Sequence, residues 1–434
     1  MFAHTVSGGF DMRKLFNYKI IMILLIALDI TVLLGTGYSK ILDRIPDEMV
    51  IFTDSATTYN FGVPVKVDLP KESQEVFLIN DSTKDERMVP SGLMEITGKK
   101  EGRYAANIKL LGIFNLKDVS VNIIKPVSVY PIGKCAGIYV ETDGIMVLGC
   151  GEIKNAGQSM ESPCKNILKA GDYILKVNHE NVDDTIKFKN LVNSSDNDKI
   201  ILTIRRDGEI IDVSVNRLKC DDGDYKIGLW IRENLQGIGT ITYVDADGRF
   251  GALGHSISDS SSGKLLEIEG GEIYRPTIRK IIKGQQKNPG EIYGTISYNM
   301  EDFLGLIDSN SNKGIFGMIQ KTSIDELISE SALSEVCLKN DIHTGKASII
   351  CNVDSVRREY EIEIEEIDLN SDSYKDMVIK MTDENLLEKT NGIIQGMSGS
   401  PIIQDGKIVG AVTHVFVNDP TKGYGIFIEN MLEK

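Results

Sequence analysis

Gly396-Met397-Ser398-Gly399-Ser400-Pro401 stands near the C-terminus between two apolar runs, Gly392-Ile393-Ile394 and Ile402-Ile403. Beyond it come an Asp405-Gly406 turn, the apolar run Ile408–Phe416, and Gly423-Tyr424-Gly425-Ile426-Phe427-Ile428. This pattern predicts a serine on a tight turn among short strands. Glycines on both sides let the backbone turn sharply, so that N–H groups can converge on an oxyanion formed beside the hydroxyl. Serine alone is a weak nucleophile and needs a base from elsewhere in the chain. Taken by itself, the pattern is more often a plain Gly/Ser turn between strands. The decision rests on the remaining residues.

The chain has 434 residues, enough for two or three domains with cores of their own. Its 26% charged and 41% hydrophobic residues are those of an ordinary globular protein. A net charge of −15, from 63 acids against 48 bases, argues against nucleic acid as a partner. Six cysteines occur with no C-x-x-C pair and no zinc-finger spacing, so free thiols and no metal site are expected. No cofactor motif is present.

Residues 1–19 form a polar to basic N-terminus, with Arg13, Lys14 and Lys19 ahead of the apolar run Ile20–Leu34. Small residues continue that run to Gly37, and Asp43, Asp47 and Glu48 follow. Residues 20–37 are barely long enough to span a bilayer as a helix, and Asp29 inside them is a cost. The charge asymmetry predicts residues 1–19 in the cytoplasm and the body exported. No small-residue cleavage site is evident, so the segment reads as an uncleaved signal anchor. Residues 38–60 read as a linker. Residues 61–127 alternate through Val63, Val65 and Val67, Val76–Ile79, and Val119-Ser120-Val121, which predicts a small β-rich domain.

Residues 128–219 change in character. Leu168-Lys169-Ala170-Gly171-Asp172-Tyr173-Ile174-Leu175-Lys176-Val177-Asn178 resembles the core of PDZ domains. A helical stretch near Lys187–Val192 and the strand Ile200–Arg205 follow, with Asp207-Gly208 as a hairpin signal. PDZ domains take extended peptides by strand addition and capture a terminal carboxylate on backbone N–H groups. By position, the groove edge is expected at Ile132, Gly133, Gly137, Ile138 and Tyr139, receiving peptide C-termini or internal segments. Pro131-Ile132-Gly133-Lys134 departs from the usual Gly-Leu-Gly-Phe loop.

Residues 220–434 are rich in short strands and glycine, which suggests a barrel or sandwich pair and a mainly β protein. Five histidines are present. His4 precedes the apolar run, His179 ends a PDZ-like strand, and His343 sits in a polar turn. That leaves His255, in Gly251-Ala252-Leu253-Gly254-His255, and His414 as candidate bases for Ser398. A base must be oriented by a third group, and Asp259, Asp302, Asp308 and Asp383 are the candidates.

The serine stretch and its sequel resemble the serine region of chymotrypsin-like proteases. That likeness implies a double β-barrel, an oxyanion hole from the Gly396 and Ser398 amides, a substrate-pairing strand at Thr413, His414 and Val415, and Gly392 near the specificity pocket. Met397 stands where those proteases usually have Asp. Across nearly the whole chain the similarity is closer to the SpoIVB peptidase family (peptidase family S55), the stage IV sporulation protein B of endospore-forming bacteria. The motifs that carry it are Gly251-Ala252-Leu253-Gly254-His255, Thr382-Asp383, Gln395–Ile402 and Ala411-Val412-Thr413-His414-Val415-Phe416-Val417-Asn418-Asp419-Pro420. The resemblance implies a triad of His255 as base, Asp383 as orienter and Ser398 as nucleophile. By chymotrypsin-like spacing alone, Asp302 and Asp308 compete with Asp383.

That family's role implies a membrane-anchored signalling protease of sporulation, made in the forespore and exported between its two membranes. Its members cut a regulatory membrane protein that restrains an intramembrane protease, which then processes a late mother-cell sigma factor. They also cut themselves, and the PDZ unit governs self-recognition and substrate targeting. The competing expectation is a non-catalytic PDZ scaffold with an inactive protease-like domain. A heat-shock-type quality-control protease is disfavoured, because in those enzymes the PDZ unit follows the protease domain.

Overall fold

A computed structural model describes residues 22–432 except 23, 27, 29–31, 33–34, 43–44, 71–75, 80–87, 90, 156 and 260–262. The expected cytoplasmic segment 1–19 and part of the expected anchor 20–37 lie outside the described residues. Among the described residues no helix is long and apolar enough to cross a membrane. The chain divides into two units, Met1–Pro126 and Val127–Lys434.

The first unit is built on a five-stranded sheet. Its strands are β1 (Glu48–Phe52), β2 (Val65–Asp68), β3 (Met88–Val89), β4 (Gly102–Leu110) and β5 (Phe114–Ile124). They run in the order β1-β5-β4-β2-β3, with β1 parallel to β5. A three-stranded sheet of Ala56–Asn60, Leu93–Gly98 and Phe77–Ile79 accompanies it. Met49, Ile51, Tyr59, Val65, Ile108 and Val121 share one core. Residues 38–60 are therefore not a linker, because β1 and the strand Ala56–Asn60 carry part of that core. The partner of β1 lies far along the chain, so no local turn signal announced the pairing.

The second unit begins with β6 (Ser128–Cys150), which is shared between two substructures. Its C-terminal part pairs with β7 (Tyr173–Val177), which pairs in turn with β8 (Lys199–Arg206), and β8 with β9 (Glu209–Asn216). Helix α1 (Thr185–Ser194) buries Phe188 and Val192 in the core of this PDZ-like layer, beside Ile145, Ile174 and Leu202. Asp184 caps α1 by accepting from the Lys187 amide, a favoured N-cap arrangement.

The same sheet continues from β6 in the other direction. There β6 pairs with β10 (Leu229–Val244), which continues to β11 (Arg249–Ala252). The chain of pairings then runs through β14 (Gly314–Ile319), β13 (Phe303–Ser311) and β12 (Ile268–Tyr274), and back to β6. These six strands form a closed ring around Ile132, Val140, Ile241, Phe250, Ile273 and Ile315. The PDZ-like layer is thus inserted between the first two strands of a barrel, instead of ending before it.

This arrangement corrects the expected peptide groove. Gly137, Ile138 and Tyr139 are paired with β10 on one side (Ile238, Gly237, Gln236) and with β12 on the other (Tyr274, Ile273, Glu272). Ile132 and Ile138 are buried, and Gly133 packs on the Ile350 backbone. A strand paired on both edges has no backbone groups left for an added peptide.

A helix, α2 (Lys321–Ile328), leads toward a second barrel. This barrel is closed in the order β15 (Gly345–Cys351), β16 (Arg358–Ile367), β17 (Met377–Met381), β20 (Asp419–Phe427), β19 (Lys407–Phe416) and β18 (Pro401–Gln404). In β16, Tyr360, Ile362 and Ile364 point inward while Glu359, Glu361 and Glu363 point outward, the two-residue period of a half-buried strand. Helices α3 (Glu384–Thr390) and α4 (Ile428–Leu432) flank the barrel. All six cysteines are free.

Candidate active site

The serine turn connects α3 to β18 and is held from both barrels. Met397 is fully buried in the second barrel's core, and such burial contributes about 1.5–3 kcal/mol. The Met397 carbonyl accepts from Ser400 N–H, and the Gly399 amide donates to Val412 on β19. From the first barrel, Thr240 on β10 donates through Oγ1 to the Gly396 carbonyl at 2.7 Å and through its amide to the Ser398 carbonyl at 3.0 Å. A Cβ on Gly399 would lie 2.0 Å from the Thr240 carbonyl oxygen, so the close approach of the two barrels requires glycine there. Among the described backbone hydrogen bonds, neither the Gly396 nor the Ser398 amide donates, which leaves both to polarise a substrate carbonyl.

His255 emerges from a turn after β11, where Leu253 and Gly254 both adopt φ of 70°. Its Nδ1 lies 2.8 Å from the Ser256 carbonyl, which fixes the ring. Burial pushes its pKa below the ordinary histidine value, and the Ser256 carbonyl pulls the other way. The neutral imidazole that a general base requires is thereby favoured.

Ser398 and His255 line one cleft of about 780 Å³ between the barrels, together with Gly396, Thr413, His414 and Val415. A bulge in β19 produces part of this wall: Val412 pairs with Gly425 and Val415 with Gly423, leaving Thr413 and His414 opposite Tyr424 alone. Such a bulge turns the Thr413 carbonyl and the His414 ring toward the cleft. Ser398 Oγ donates to that carbonyl at 2.7 Å, and no hydrogen bond joins it to His255. The His414 ring lies against His255, and its pKa is pushed down to about 4. Desolvation is the main cause, followed by the neighbouring His255 and Lys375.

Asp383 does not join this group. It is the N-cap of α3, where Oδ1 accepts from the Leu386 amide at 3.0 Å, and it does not line the cleft. Residues at the end of a strand before a serine loop can reach an active site, but here the helix begins at once and takes the carboxylate. Asp259, Asp302 and Asp308 also lie outside the cleft lining. Gly392 is buried against Pro420 and does not line it, whereas its neighbours Ile393 and Ile394 do. The acid that does line the cleft is Asp372, on the polar loop between β16 and β17. Its sequence context, Asn370-Ser371-Asp372-Ser373-Tyr374-Lys375, reads as an ordinary solvated turn. Thr240 likewise carried no local signal, because its partners come from the other barrel.

Residues 223–432 match the family described as SpoIVB peptidase S55. No curated protein matches the chain. Among solved structures, the PDZ domain of an SdrC-like protein from Listeria innocua is 19% identical and covers 21% of this chain and 96% of its own, with a TM-score of 0.18. The corresponding domain from Listeria monocytogenes is 18% identical over 21% of this chain and 90% of its own, with a TM-score of 0.17. The HtrA-type protease AlgW with decapeptide is 14% identical over 47% of this chain and 52% of its own, with a TM-score of 0.25. The chain thus spans about half the length of that protease.

Proposed function

We propose, from the match of residues 223–432 to the SpoIVB peptidase S55 family, that this protein is a serine endopeptidase with Ser398 as nucleophile and His255 as general base. The observation that carries the reading is the common cleft in which the two side chains meet unpaired backbone amides. In the resting arrangement the Ser398 proton is directed at the Thr413 carbonyl. Rotation about χ1 would redirect it to His255 Nε2. Oγ then attacks the scissile carbonyl, the imidazole takes the proton and delivers it to the leaving amine, and the oxyanion faces the Gly396 and Ser398 amides. Water releases the acyl group through the same base. The Ser256 carbonyl, not a carboxylate, holds His255 Nδ1 in this mechanism.

The two closed six-stranded rings support a chymotrypsin-like double barrel. Thr413, His414 and Val415 would pair with the substrate backbone, and the inserted PDZ-like layer would select extended peptide segments. The family reading extends this to a sporulation signalling protease, anchored through residues 20–37, with its body exported into the space between the forespore membranes. Its substrates would be a regulatory membrane protein of sigma-factor processing and the chain itself.

A fluorophosphonate probe tests the assignment. The parent protein should be labelled at Ser398, while Ser398→Ala and His255→Ala should not. One observation favours a second reading, an inert PDZ scaffold: Ser398 Oγ is bonded to Thr413 and not to the base. An unlabelled parent protein that remains folded would decide for the scaffold.

A further inference from the structure

The turn joining β4 to β5 in the first unit contradicts its own local chemistry. Leu111 and Gly112 adopt φ of 51° and 75°, and the Ile113 amide closes the turn on the Leu110 carbonyl. A two-residue turn with both central residues at positive φ favours Asn-Gly or Asp-Gly, because a branched apolar side chain is strained there. Here the first position is leucine, followed across the glycine by isoleucine and phenylalanine. Leu111 is 51% exposed, Ile113 76% and Phe114 62%. A hairpin tip of three large apolar residues in water, one of them strained, has neither a packing nor a turn-forming explanation within this unit.

Its position supplies one. The helical residues that end at Leu42 expose Leu24, Leu25, Ile26, Leu28 and Val32, while Ile41 and Leu42 pack on the unit's core. Just after this helix, the Ile45 carbonyl accepts from Lys117 Nζ at 2.8 Å, and Asp47 pairs with the same ammonium. Lys117 is three residues from Phe114 on β5. β1 is parallel to β5, with Glu48 beside Ser120, so the chain that enters β1 and the start of β5 at Phe114 lie toward the same end of the sheet. The exit of the apolar helix and the apolar hairpin tip therefore lie at the same end of the sheet. Leu93, also exposed, follows Gly92, which packs on Val63; the adjoining Pro64 accepts from the Leu111 amide.

We propose that the hairpin tip Leu111–Phe114 is a second membrane contact, seated in the headgroup region of the same lipid surface that receives the N-terminal apolar segment. The inference rests on the reading of residues 20–37 as an anchor. Leu111, Ile113 and Phe114 would be buried among upper acyl chains, as apolar side chains of interfacial elements are. Lys109 and Lys117 flank the tip at headgroup level, neutralised by Asp68 and Asp47. With two points of attachment, the first unit would be fixed against the surface and not free to swing about the end of its helix.

The test uses the full chain with Trp230, its one tryptophan, replaced by Phe. Phe114→Trp places a reporter at the tip, and Glu101→Trp places one beyond the opposite end of β4. Each protein is reconstituted into phosphatidylcholine vesicles with or without bromine in the upper acyl chains, and only protein that floats with the vesicles is measured. The expected result is quenching of the tip reporter by about twofold or more, because interfacial burial brings it within roughly 5–10 Å of the headgroup boundary, with the Glu101→Trp reporter unchanged. Floating protein with an unquenched tip overturns the proposal while leaving the anchor intact, and points to a protein partner for the tip. Equal quenching of both reporters also overturns it, as non-specific adsorption. Protein that does not float overturns the anchor and the hairpin contact together.

Discussion

The imidazoles of His255 and His414 lie 4.7 Å apart, centroid to centroid, at an interplanar angle of 40°. Two rings this close in a partly desolvated cleft cannot both be protonated without repulsion. His255 is held below its ordinary pKa by burial, and His414 is pushed down to about 4. An unfolded chain binds these protons near pH 6.5, so the unfolded state gains protons first as pH falls. The stability contribution is therefore fully present above about pH 6.5 and is lost as pH falls toward about 4. Thermal melts should show this acid loss, and His414→Gln should reduce it. An identical pH profile for the variant would remove His414 from the account. Probe labelling, which needs neutral His255, should persist below the usual histidine pKa.

Thr240 holds the serine turn from the opposite barrel through two hydrogen bonds. Thr240→Val keeps the shape but leaves the buried Gly396 carbonyl without its hydroxyl partner, a loss of about 1–3 kcal/mol. The turn that presents Ser398 should loosen. Labelling rate should fall more than melting temperature does, and Thr240→Ser should restore it. Failure of the serine variant to rescue would mean that the threonine methyl, not the hydroxyl, matters.

Gly399 admits no side chain. With φ of 95° and a Cβ position 2.6 Å from the Leu253 amide, Gly399→Ala must push the turn away from β11 or deform it. The expected cost is about 3 kcal/mol or more, with loss of probe labelling. Unchanged melting and labelling would show that the two barrels are not this close in solution.

Asp383 separates two roles cleanly. As an N-cap it should tolerate Asn, which caps equally well, whereas Asp383→Ala should cost about 1 kcal/mol in stability. If the cap is its whole role, Asp383→Asn keeps both the melting temperature and the labelling rate. Normal melting with strongly reduced labelling would instead place its charge in the mechanism, through a rearrangement that brings it to His255.

Several of these features were legible in the chain. Ser398 stood out because glycines on both sides of a serine serve a purely local need, a sharp turn. The five histidines narrowed the base to His255 or His414, and the family resemblance pointed to His255. The alternation of Tyr360, Ile362 and Ile364 with glutamates was equally local, and it survived intact as β16. Other readings failed where pairing partners were remote. Met49 and Ile51 read as linker in the sequence because β1 pairs with a strand far along the chain. Gly137–Tyr139 reads as a groove edge because a strand paired on both sides has the same residues as one paired on one side.

The amino-acid sequence by itself determined the mainly β character and the tight Gly-framed turn around Ser398, since each depends on periodicity or on backbone freedom within a few residues. Only the tertiary structure decided that β6 is shared by the PDZ-like layer and the first barrel, that Thr240 clamps the serine turn, that Asp383 caps a helix, and that His414 and Asp372 line the cleft. Those facts depend on which distant strands share an edge. That choice is made by burying two barrel cores and one PDZ-like core together, not by any short stretch of residues.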